Sequence, residues 1–72
     1  MEQKDEKKFL RLFGKRLREI RIEKGLSQED LANDSNIPIN QIGRIERAQV
    51  NTTLKTIFKI ARALDIDVTD FF

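Results

Sequence analysis

Apolar residues in this chain recur every three or four positions, the period of an α-helix rather than the strict alternation of a half-buried strand. Phe9, Phe13, Leu17 and Ile20 set the pattern in the first third, and Leu54, Ile57, Ile60, Ala61 and Leu64 repeat it near the other end. Pro38 is the only proline, so helix is favoured almost everywhere else. The expected class is all-α. At 72 residues the chain forms one domain, and a domain of that size buries only about 60% of the surface its unfolded form exposes. Little interior is left for a catalytic cleft, so a binding surface is the easier function to support.

Local chemistry sets the boundaries. A first helix is predicted over residues 4–24, with residues 1–12 as an N-terminal extension, and Gly25 ends it as a left-handed cap. Ser27 offers an N-cap oxygen and Asp30 follows three residues on, opening a short helix that buries Leu31 and Ala32 and stops near Ser35. Asn36 tolerates positive φ, and Ile37 is an apolar plug. Pro38 holds the residue before it extended and suits the first turn of a third helix, predicted to run to Arg47. Thr53 caps a fourth helix bearing the stripe from Leu54 to Leu64, and Asp67 caps a terminal turn with Val68, Phe71 and Phe72. Five helices result, and the two short ones at 27–47 have the layout of a helix-turn-helix.

Composition removes whole classes of function. The chain has no cysteine and no histidine, hence no disulfide, no zinc finger and none of the commonest general base. Nothing pairs a nucleophile with a base, so no enzyme, metal or cofactor is expected. No long apolar run follows the charged first residues, so neither a signal peptide nor a membrane span is expected, and the expected location is the cytoplasm. Net charge is only +2, but it is uneven: nine Lys or Arg against five Asp or Glu up to Lys24, and five against seven beyond it. A basic first helix is either a solvated face or part of a nucleic-acid footprint.

At 100° per residue, the third helix points Ile42 and Ile45 inward and Asn40, Gly43, Arg44 and Arg47 outward. That division suits a helix that reads DNA. Arg can donate a bidentate pair to guanine and Asn to adenine, and an apolar side chain can pack on a thymine methyl. Ile39 stands at the border, either as that apolar contact or as an edge-of-core residue. Gly43, an interior helical glycine, either lets the backbone approach DNA or is an exposed position of no consequence. Gln28, at the second helix's N-terminus, either holds a phosphate or is simply solvated.

The run from Arg21 to Glu46, with Gly-Leu-Ser-Gln-Glu-Asp-Leu-Ala at 25–32 and Ile-Gly-Arg-Ile-Glu-Arg at 42–47, resembles the Cro/CI-like, or Xre, helix-turn-helix family. The likeness extends from about Phe13 to Phe72. It implies a compact, five-helix, lambda-repressor-like domain that regulates transcription on double-stranded DNA. It also implies that Gln28 braces the recognition helix and holds a phosphate, and that Ile39, Asn40, Gln41 and Arg44 touch bases or their rims. Arg47, at the helix end, is expected on a phosphate. Arg21 and Glu46 match a pair that forms a partly buried salt bridge in family members, and Leu31, Ala32, Ile37, Ile42 and Ile45 match the motif's core.

The chain departs from the family at three places. Asn36 replaces the usual turn glycine, Pro38 replaces a Ser or Thr cap and its phosphate-facing hydroxyl, and Ala48-Gln49-Val50-Asn51-Thr52 replaces a loop that commonly carries Gly and Pro. A homodimer on a palindromic operator is expected, because one recognition helix covers few base pairs. Ile66, Val68, Phe71 and Phe72 form the first candidate dimer surface, with Phe9 and Leu10 as the second. A repressor is expected, since no second domain is evident for ligand binding or activation. The alternative is an antitoxin or interaction module whose partner is a cognate toxin protein, and the polar face at Asn40, Arg44 and Arg47 favours DNA.

Overall fold

A computed structural model describes residues 3–72. Among these residues four α-helices follow one another: α1 (Gln3–Glu23), α2 (Gln28–Ser35), α3 (Ile39–Glu46) and α4 (Leu54–Leu64). The fifth expected helix is a single 3-10 turn, Val68–Phe71. No described helix is long and apolar enough to cross a membrane.

The ends fall where local chemistry puts them. Ser27 Oγ accepts from the Asp30 N–H while Asp30 accepts from the Ser27 N–H, a complete capping box for α2. Thr53 caps α4 in the same sense, through the Thr56 N–H. Pro38 is the N-cap of α3 rather than its first residue: ψ of 141° keeps it extended, and no side chain caps the helix. Each α-helix then ends on a left-handed residue, Gly25, Asn36, Ala48 or Asp65. The next N–H in each case returns to the carbonyl five residues back: Leu26 to Arg21, Ile37 to Ala32, Gln49 to Arg44 and Ile66 to Ala61. Ala48 is the unexpected one, because its Cβ makes φ of 59° cost about 1 to 2 kcal/mol.

The core draws on every element, including Phe13, Leu17, Leu31, Ile42, Ile45, Ile60, Leu64 and Phe71. Two expected core residues lie outside it. Leu54, the first residue of α4, is 84% exposed, and Phe9 is half exposed. Phe9 stacks instead on Phe72 at 5.3 Å between centroids. The two terminal phenylalanines divide: Phe71 is buried edge-on against Phe13, whereas Phe72 stays exposed.

Gly14 decides how α1 meets α3. A Cβ there would lie 2.5 Å from the carbonyl oxygen of Ile45 and 2.7 Å from that of Glu46. The backbones touch, so α1 crosses the C-terminal end of α3 and holds the short helix by its last turn.

Candidate nucleic-acid interface

One carboxylate ties the motif together. Arg21, near the end of α1, donates from Nε to Glu46 Oε2 at 2.7 Å and from Nη2 to Oε1 at 3.0 Å, a bidentate fork. Its Nη1 donates to the Leu26 carbonyl at 2.8 Å, which brings in the turn between α1 and α2. Gln28, the first residue of α2, donates from Nε2 to Glu46 Oε1 at 3.1 Å. The Arg21 and Glu46 side chains are 10% and 2% exposed, so this is an interior pair. The hydrogen bond to Glu46 raises the Arg21 pKa against the opposing pull of desolvation. Gln28 thus braces α3, and it remains half exposed at the helix N-terminus.

With its end held by Glu46 and with Ile42 and Ile45 in the core, α3 turns its other side to solvent. Asn40 and Arg44 are exposed, one turn apart, and Gln41 is half buried beside them. These three line a shared groove with Pro38, Val50 and Asn51. Ile39 is 48% exposed, an apolar surface at the N-terminal end of the same helix rather than a core edge. Arg44 forms no ion pair among the described residues, so its five donors are free for a ligand.

Gly43 is not on an open face. It is buried beneath Arg47, whose Nη1 would lie 2.9 Å from a Cβ on the glycine. Arg47 folds back along the helix and donates from Nε to Gln49 Oε1 at 3.1 Å, with its guanidinium at the surface. The glycine seats an arginine. Helical spacing places Gly43 outward correctly but cannot show that a side chain four residues on lies over it.

Sequence reasoning missed Val50 and Asn51, which wall the groove from the loop after α3. No spacing rule reaches across a loop whose course is set by a left-handed alanine. The four residues proposed for a dimer surface do not form one patch. Ile66 and Val68 are half buried on a face shared with Phe58, Phe71 is interior, and Phe72 belongs with Phe9.

The described fold is that of a helix-turn-helix protein, and a helix-turn-helix family model matches residues 17–71. The chain belongs to this family, the Xre-type, Cro/CI-like helix-turn-helix proteins. Within it, the chain is 41% identical over 64 residues to the control protein C.BamHI of Bacillus amyloliquefaciens, covering 83% of this chain and 79% of that one. The crystal structure of the restriction-modification controller protein C.AhdI from Aeromonas hydrophila superposes with a TM-score of 0.86 at 49% identity. That match covers 88% of this chain and 96% of the other. The transcriptional regulator PuuR of Escherichia coli is 36% identical over 59 residues, but the chain spans only 32% of that protein's length. The family model begins at Leu17, so most of α1 precedes it.

Proposed function

We infer that this protein is a sequence-specific DNA-binding transcription regulator that presents α3 to the major groove of a palindromic operator. Ile39, Asn40, Gln41 and Arg44 read bases, and Gln28 and Arg47 hold phosphates. One observation carries the reading. Asn40, Gln41 and Arg44 stand together in a solvent-facing groove, on a helix whose opposite side is locked into the core and whose last turn is fixed by Glu46. A bidentate arginine and an amide one turn apart are the groups that distinguish guanine and adenine by their major-groove edges.

The finer reading is a restriction-modification controller. C.BamHI and C.AhdI, named as a control protein and a restriction-modification controller, match this chain over most of their own length, which favours operator DNA over a toxin as its partner. Repression by occupying a promoter needs nothing beyond the binding surface.

Binding as a symmetric dimer fits a half-site spacing of about 34 Å. The better dimer surface is the outer face of α4 with the terminal turn, where Phe58 is 56% exposed beside the half-buried Ile66 and Val68. Phe72, although 62% exposed, stacks on Phe9 and Phe13 and belongs to a separate patch.

Selection from random duplex DNA tests the function. Enrichment of a two-fold-symmetric site is expected; recovery of no preferred sequence overturns the reading. Transcription from the enriched site in the presence of the protein then separates repressor from activator.

A further inference from the structure

Along α1, mostly ahead of the family match, lie cations that the base-reading surface does not use. Lys7 and Arg11 are one turn apart, and Arg18 lies two turns beyond Arg11. At 100° per residue the three fall within an arc of about 40° on the helix surface. All three are exposed, and none forms an ion pair among the described residues.

Their edge of the helix can be located. Gly14 touches the last carbonyls of α3, and it lies within about 60° of all three cations. They therefore line the side of α1 that flanks the recognition helix. A groove between Lys7 and Leu10 of α1 and Gln49, Val50 and Asn51 of the following loop leads the same way, with Glu6 also bordering it. Val50 and Asn51 also wall the groove of Asn40 and Arg44, so the two grooves border the same loop.

We propose that Lys7, Arg11 and Arg18 form a phosphate clamp that grips the DNA backbone outside the bases read by α3, extending the footprint of each protomer beyond its half-site. From Lys7 to Arg18 the helix rises about 16 Å, which matches roughly five base-pair steps of duplex. The clamp carries no sequence information. It adds counterion release, and so salt-sensitive affinity, to whichever operator α3 selects. Glu6 limits the gain at the loop end, since its carboxylate repels a nearby phosphate.

The proposal rests on the DNA-binding reading, and the experiment separates the two. Affinity is measured for the full chain and for Lys7→Ala/Arg11→Ala on the selected operator, in duplexes that end at the half-sites or carry about eight further base pairs on each side, across several salt concentrations. The intact chain should bind the long duplex on the order of tenfold more tightly than the short one, with a steeper salt dependence. The double variant should lose that gain, its slope of log K against log salt falling by about two units per protomer, while its preferred sequence and its thermal unfolding stay unchanged. Specific binding whose flank dependence and slope are the same in both proteins overturns the clamp alone. A lowered melting temperature with unchanged slope also overturns it, and assigns the cations to the negative C-terminal end of α3. Absence of specific binding by the intact chain overturns the reading and the clamp together.

Discussion

Arg21 and Glu46 meet across 25 positions of sequence in two hydrogen bonds of 2.7 and 3.0 Å, and the pair ties α1, the α1–α2 turn, α2 and α3, Arg21 through the Leu26 carbonyl and Glu46 through Gln28. Removing one partner leaves a buried charge without its counter-ion, which costs about 3 to 5 kcal/mol, whereas removing both leaves no buried charge. Arg21→Met and Glu46→Leu should each lower the unfolding temperature strongly, and the double variant should recover much of the loss. A thermal-unfolding cycle showing additive effects would mean that the pair contributes as a solvated surface contact.

Gly14→Ala tests the closest approach in the fold. The added methyl would sit 2.5 Å from a backbone oxygen that cannot rotate away, so α1 must lift off α3. Overpacking of this kind costs about 1 to 3 kcal/mol. Because the displaced partner is α3, the proposed reader, DNA affinity should fall by more than the unfolded fraction accounts for. Gly43→Ala is the contrast: its neighbour is the mobile end of Arg47, and stability should change by less than about 1 kcal/mol.

How much of this was legible in the sequence follows from the range of each interaction. Caps are decided within four residues, and Ser27, Asp30, Asn36, Thr53 and Asp67 mark their helix ends without reference to the rest of the molecule. Helical period places Leu17, Ile42 and Ile60 in the core. It misplaces Leu54, because period gives a direction around the helix and not whether a neighbour covers that turn. The solvent-facing side of α3 with Asn40 and Arg44 is legible from helical period, but its groove is not, since Val50 and Asn51 arrive through a loop closed on the left-handed Ala48. The cost of Ala48 is hidden for the same reason, as alanine signals helix and not its end.

The dimer surface is testable at single residues. Phe71 is interior, so Phe71→Ala should unfold the protein by about 3 to 5 kcal/mol whatever its oligomeric state. Phe58→Lys should leave unfolding of the monomer nearly unchanged while placing a cation on each side of the two-fold axis. Equilibrium sedimentation should then show a dimer for the parent and a monomer for the variant. Equal association in both places the interface elsewhere.

Acid should loosen the start of α2. The Ser27 backbone N–H donates to Asp30, with the Ser27 hydroxyl as the second cause, and together they hold the Asp30 carboxyl below its ordinary pKa. Its contribution is therefore present above the unfolded value of 3.8 and lost as pH falls through the lower folded value. The gap in melting temperature between the parent and Asp30→Asn should be constant from about pH 7 to 5 and close below about pH 4. A gap that persists at pH 2 would mean that charge at Asp30 has no part in the cap.

Base readers and phosphate holders should differ in kind when removed. Arg44 stands free in the groove one turn from Asn40, whereas Arg47 lies back over Gly43 toward the loop, where the backbone of the duplex would pass. Arg44→Ala should cost roughly 1 to 3 kcal/mol on the preferred operator and flatten the preference at one base pair of each half-site. Arg47→Ala should weaken all sequences alike and reduce the salt slope by about one unit per half-site. Repeating the random-DNA selection with each variant, at several salt concentrations, reads both effects. If Arg44→Ala retains the parent's preference at every position, α3 is not the reader, and the groove at Asn40 and Arg44 binds something other than base edges.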